Sequence, residues 1–166
     1  LGTLKGPLHG GANEAAMKQF IEIGSVENVD AWFDAQMAKK GRIMGKGHMV
    51  YGVEGPPSVI LRKLAKDVAQ SSGKTRWYDI AAKLEERALE HPYFKERNIF
   101  PNVDYYSGPL LSGLGIPVDL FTPMFAISRV AGWTAHMLEQ QQNNRLIRPR
   151  ANYVGPPVGH RDKSAA

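Results

Sequence analysis

Apolar residues recur at helical spacing along most of the chain, and nowhere do β-branched residues alternate over a stretch long enough to build a sheet. The last such stretch is the strongest. Thr122 is placed to cap it, Pro123 suits its first turn, and Ile127, Val130, Ala131, Thr134 and Leu138 line one stripe before Gln140–Asn144 turns polar. Upstream, Asn13 is placed to cap a helix through Ala16, Met17, Phe20 and Ile21 that ends near Gly24. A second pattern runs from about Val29 through Trp32, Phe33 and Met37. Lys39 and Lys40 fall in its last turn before Gly41, where cations suit the negative end of a helix. Ser58 to about Ser71 carries Ile60, Leu61, Leu64, Ala65 and Val68 and closes at Gly73. A further helix, from about Thr75 through Trp77, Ile80, Leu84 and Ala88, must stop before Pro92. The expectation is an all-α fold without internal repeats, with at most one or two short ribbons around Val50–Val53 and a weakly ordered tail after Gly155.

Length and composition narrow the function classes. The 166 residues are enough for one domain, able to bury roughly 70% of its extended-state surface. The net charge of +5 favours an anionic ligand or partner without arguing for nucleic acid. With no cysteine, the chain cannot hold a disulfide scaffold, a thiolate zinc site or a cysteine nucleophile. No apolar run approaches the roughly 18 residues of a membrane span, and the start lacks the pattern of a signal peptide. A cytoplasmic setting is expected. The chain begins abruptly and without Met, as a piece of something longer would.

Three segments between the helices carry chemistry. In Gly6-Pro7-Leu8-His9-Gly10-Gly11-Ala12-Asn13, a His among glycines precedes a helix amino end. Glycine admits close backbone approach by a ligand, and a helix amino end lowers the pKa of a nearby imidazole, keeping it a neutral donor. A Gly-rich turn with an exposed His is the plainer reading. In Ile43-Met44-Gly45-Lys46-Gly47-His48, a second His follows glycines without the spacing of a phosphate loop. A turn entering a short strand is the plainer reading there. In Pro101-Asn102-Val103-Asp104-Tyr105-Tyr106-Ser107-Gly108, one acid sits among aromatics, where desolvation can raise its pKa toward that of a useful base; an Asp capping a helix start is the plainer reading. Two imidazoles and a carboxylate suit enolisation, in which the carboxylate removes a proton beside a carbonyl and the imidazoles bond the oxygen that gains charge. The same three are also a two-His, one-carboxylate metal set, and spacing does not separate the two.

Together with Ile127-Ser128-Arg129 and Arg145-Leu146-Ile147-Arg148-Pro149, these segments stand in the order and approximate spacing of the citrate synthase family. The resemblance covers about residues 3 to 156 and is closer to bacterial citrate and 2-methylcitrate synthases. It implies an all-α, mainly helical homodimer that condenses acetyl-CoA or propionyl-CoA with oxaloacetate, an acyltransferase of the tricarboxylic acid cycle. No cofactor is implied beyond acyl-CoA as substrate and CoA as product, and no metal, nucleic-acid or membrane partner. Asp104 matches the family's base, His9 the imidazole at the thioester oxygen, and His48 the group that polarises the oxaloacetate carbonyl. Arg129 matches an arginine that grips an oxaloacetate carboxylate, and Arg148 one contributed across the dimer interface. The backbone of Met44, Gly45, Lys46 and Gly47 would contact the CoA adenine. By the same resemblance, residues 1–10 end a large-domain segment and 11–113 form a small closing domain. Residues 114–155 return to the large domain, and 156–166 are tail.

The sequence departs from the family in three places. The helices that precede the first His motif, with a further oxaloacetate-binding His, are absent, which implies a carboxyl-terminal fragment whose exposed helix faces would associate. Pro57 stands where an oxaloacetate-binding Arg is usual, and Gly52 where a basic residue near the CoA phosphates is usual. Lys46 is the candidate substitute for the latter. These departures support a competing expectation, a non-catalytic relative or fragment that binds an acyl-CoA or a partner chain; a metal-dependent hydrolase ranks third. His91 and His136 read as surface or packing residues, and the Trp and Met residues as core and domain contacts.

Overall fold

A computed structural model describes residues 2, 4–6, 9–47, 55–146, 150, 152 and 154. Seven α-helices carry these residues: α1 (Ala12–Ile23), α2 (Val29–Ala38), α3 (Pro56–Ser72), α4 (Arg76–Glu90), α5 (Pro92–Glu96), α6 (Val103–Gly113) and α7 (Phe121–Gln142). Short 3-10 turns precede α2 and α7. Among the described residues there is no strand, only an isolated antiparallel bridge between Lys46 and Pro101. The all-α expectation is met, while the ribbon expected around Val50–Val53 and the tail after Gly155 lie outside the described residues. None of the helices is long and apolar enough to cross a membrane.

The chain divides into two compact units, Leu1–Ala131 and Gly132–Ala166. In the first, α6 runs through the middle of the core and packs against α1, α3 and α4. Tyr105 and Tyr106 are fully buried on it, and Phe20 of α1 meets Tyr105 edge-on at 5.2 Å. Both phenols find partners, as buried hydroxyls must. Tyr105 donates to the Ala81 carbonyl at 2.8 Å, and Tyr106 donates to Glu85, which Arg62 of α3 also reaches at 2.5 Å. The described residues of the second unit are exposed throughout.

Several helix ends differ from expectation. The amino cap of α1 is Gly11, not Asn13; Asn13 is buried inside the first turn, where its side chain accepts the Glu14 N–H at 2.8 Å. Helix α2 stops at Ala38, so Lys39 and Lys40 follow it rather than forming its last turn, and Lys40 takes the left-handed conformation (φ 52°). The Gly41 N–H then closes on the Gln36 carbonyl at 2.8 Å. Helix α3 begins at Pro56, ahead of the expected Ser58, and α7 at Phe121, so Thr122 lies within the helix rather than capping it. The stripe expected on α7 exists, but it is exposed: Ile127 is 66% and Leu138 57% accessible. Of the tryptophans, Trp32 and Trp77 are half-buried against the core, whereas Trp133 is exposed, as are Met124 and Met137.

Candidate active site

The first His motif folds tightly onto its own chain. The Gly11 N–H donates to the Gly6 carbonyl at 3.1 Å, and the Ala12 N–H, opening α1, donates to the His9 carbonyl at 2.7 Å. The glycines there serve the chain's own backbone rather than a ligand. A Cβ on Gly10 would lie 2.2 Å from the Leu4 carbonyl oxygen, and one on Gly11 would lie 2.3 Å from that of Lys5. This turn leaves the His9 ring exposed and facing the start of α7.

Helix α7 holds that ring through residues spaced along one of its faces. The Thr122 hydroxyl, buried, lies 3.0 Å from the Gly10 carbonyl oxygen and 2.7 Å from a Glu14 carboxylate oxygen, tying α7 to the His9 turn. Phe125 meets the imidazole edge-on at 6.0 Å. One turn further, an Arg129 guanidinium nitrogen lies 3.2 Å from His9 Nε2. Guanidinium can only donate, so Nε2 is the acceptor and the ring of this contact is neutral.

Asp104 sits in the first turn of α6, 5% exposed. Asn102 caps that helix: its side-chain oxygen accepts the Asp104 N–H at 2.9 Å. The alternative of Asp104 as the cap is therefore set aside. One Asp104 carboxylate oxygen is buried with no hydrogen-bond partner among the described residues. Burial pushes the carboxyl up to about 6, and the Arg129 guanidinium pulls in the opposite direction without cancelling it. Arg129 thus contacts His9 directly and acts on Asp104 through its charge.

The Gly45–Gly47 loop lies along the start of α6. Gly45 has φ 76°, and a Cβ there would stand 2.8 Å from the Tyr105 Cα, so conformation and space both require glycine. The Met44 N–H donates to the Gln19 side chain at 3.0 Å, and the Lys46 ammonium lies 4.8 Å from the Tyr105 ring centroid. This loop, with Met37, Lys40, Arg42 and Tyr93, lines a cavity of about 740 Å³ that reaches Asp104. His91 also lines it. Its Nδ1 accepts the Tyr93 N–H at 3.2 Å as the cap of α5 and its ring packs on Phe33, in keeping with a packing residue.

His48, Arg148 and Gly52 lie outside the described residues. Pro57 is exposed in the first turn of α3, beside Pro56, where a missing N–H leaves no helix bond unmade. Among the described residues no three His, Asp or Glu side chains are grouped to hold a metal. The motifs had pointed to His9, Asp104 and Arg129 but not to the residues that orient them. Asn102, Phe125, Thr122 and Glu14 do that; Asn102 carried a local signal as a capping residue two places ahead of an acid, and Thr122 had been read only as a helix cap.

A buried carboxyl, a neutral imidazole and an arginine on a helical frame make an acid–base arrangement suited to proton abstraction next to a carbonyl. Residues 1–150 match the family model described as citrate synthase, C-terminal domain, and the chain belongs to the citrate synthase family. It is 48% identical over 156 residues to citrate synthase 2 of Bacillus subtilis, covering 94% of this chain and 41% of that protein. It is 50% identical over 155 residues to citrate synthase of Synechocystis, covering 93% and 38%. Among solved structures, it is similar to the ternary complex of Thermoplasma acidophilum citrate synthase with carboxymethyl coenzyme A and oxaloacetate. That likeness has a TM-score of 0.79 at 42% identity, over 96% of this chain and 42% of the other. The chain spans about two fifths of the length of these relatives.

Proposed function

We propose that this chain supplies the acid–base half of a citrate synthase active site, condensing acetyl-CoA, or propionyl-CoA, with oxaloacetate. The observation that carries this reading is the buried Asp104 carboxyl, raised to about 6, beside a cavity that runs on to the Gly45–Gly47 loop. A carboxylate of that basicity is still mostly ionised at neutral pH and is a stronger base than an ordinary one. In the reaction Asp104 takes a proton from the methyl or methylene carbon beside the thioester. The His9 imidazole hydrogen-bonds the enolate oxygen. The nucleophilic carbon then attacks the oxaloacetate carbonyl, polarised by His48. Water cleaves the resulting thioester, giving citrate or 2-methylcitrate and free CoA. Arg129 leaves His9 to take a substrate carboxylate, with Arg148 from a partner subunit as a second clamp. The cavity's apolar wall and its cations, Lys40, Arg42 and Lys46, suit the adenine and phosphates of CoA.

The rest of the active site belongs to a further polypeptide segment or chain in this reading. The coverage of two fifths of the relatives and the exposed apolar residues of α3 and α7 support it. Residues 11–113 would then form the closing domain, with 1–10 and 114–155 belonging to the large domain of a homodimer in the cytoplasm. Asp104→Ala tests the assignment. In an active preparation containing this chain, oxaloacetate-dependent release of CoA thiol is expected to fall by about 10²–10⁴-fold. Unchanged turnover would remove Asp104 from the reaction.

A further inference from the structure

Asn102 touches both halves of the candidate site. Its backbone is extended (φ −104°, ψ −175°), so its side chain turns back over the start of α6 and accepts the Asp104 N–H at 2.9 Å. The amide nitrogen of the same side chain donates to the Gly47 carbonyl at 2.9 Å. Its backbone N–H donates to the Gly45 carbonyl at 2.8 Å, while the Gly47 N–H donates to the Phe100 carbonyl at 2.8 Å. Gly45 already lies against the Tyr105 backbone, too close for any side chain. The loop and the first turn of α6 are thereby joined along one short seam, with Asn102 at its centre.

We infer that Asn102 is a positioning residue that couples the Gly45–Gly47 loop to the helix turn carrying Asp104, so that a CoA nucleotide seated on the loop also fixes the carboxyl that acts on its acyl group. This rests on the reading of the loop as the CoA site. An amide is the side chain the seam requires, since it offers an acceptor to one partner and a donor to the other in a single plane. Aspartate at this position keeps an acceptor for the Asp104 N–H and removes the donor to Gly47; serine keeps the acceptor and is a bond too short to place a donor where the amide nitrogen stands. Both variants therefore retain the helix cap and the backbone bonds of the seam, and cut the side-chain link to Gly47.

The test uses the 166-residue chain, with CoA as the probe and amide hydrogen exchange as the readout. In the wild type, CoA is expected to slow exchange at Gly47 and also at Asp104 and Tyr105. In Asn102→Ser and Asn102→Asp, thermal unfolding should show a folded chain, CoA affinity should fall about threefold to tenfold, and saturating CoA should protect Gly47 without protecting Asp104. Protection that still reaches Asp104 in both variants overturns the coupling, whatever the affinity. If the wild type binds no CoA, the reading of the loop fails by itself. The link is then judged on unliganded exchange: parallel acceleration at Gly47 and Asp104 upholds it, and unchanged rates overturn it.

Discussion

Helices α6 and α7 each carry a residue of the candidate site, and they are held in opposite ways. From Asp104 to Pro109, α6 is buried on every side, and its two tyrosines anchor it to α4. Helix α7 buries only Phe121 and Thr122; from Pro123 onward it is exposed or half-buried, and Arg129 stands on the exposed part. The chain's own core therefore sets the Asp104 carboxyl, and burial raises its pKa. The arginine is placed by one hydroxyl latch at the start of its helix and by its contacts with the Phe125 ring and His9.

The comparison can be broken at three places. The largest effect on stability is expected at Gly45→Ala, on the α6 side. A left-handed backbone with a Cβ 2.8 Å from the Tyr105 Cα allows no relaxation by side-chain rotation alone. Denaturant unfolding should show a loss of about 2–4 kcal/mol, and a loss below about 0.5 kcal/mol would mean that the loop is not packed on α6.

Asp104→Asn comes next, and its sign is opposite. Because the folded carboxyl titrates near 6 rather than at its ordinary 3.8, the folded state holds the proton longer, and the penalty for ionising it is fully present above pH 6. The amide is expected to stabilise the chain by about 2 kcal/mol at pH 7.5, with the gain fading as pH falls through 6 toward 4. A pH-independent difference would contradict the raised titration. The smallest effect belongs to α7: Ile127→Gln, at a site 66% exposed, should shift stability by less than about 0.5 kcal/mol while reducing self-association in sedimentation. A loss of 2 kcal/mol would mean that the stripe is covered within the chain itself.

Which helices were legible in the sequence follows from the same physics. The patterns through Phe20, Phe33 and Leu84 face one core, so their spacing shows. Helix α6 did not show, because Gly108 and Pro109 sit in its middle and its residues are buried all round, leaving no polar face to mark a period. Helix α5 is five residues long and too short for any period. The cap errors at Asn13 and Thr122 differ in cause: the Asn13 side chain takes the N–H of its own neighbour Glu14 from inside the first turn, whereas the Thr122 hydroxyl is drawn to Gly10 and Glu14, distant in sequence.

The sequence by itself determined the helical class, the glycines and the residue types that carry acid–base chemistry, because propensity, charge and order of motifs are local properties. Tertiary structure decided what those residues can do. Burial, not composition, raises the Asp104 carboxyl, and a partner 120 positions away orients the His9 ring. Glycines that read as room for a ligand at Gly10 and Gly11 are filled by the chain's own carbonyls, whereas Gly45 makes room for α6. Desolvation and close packing depend on which distant segments meet, and no local stretch of sequence records that.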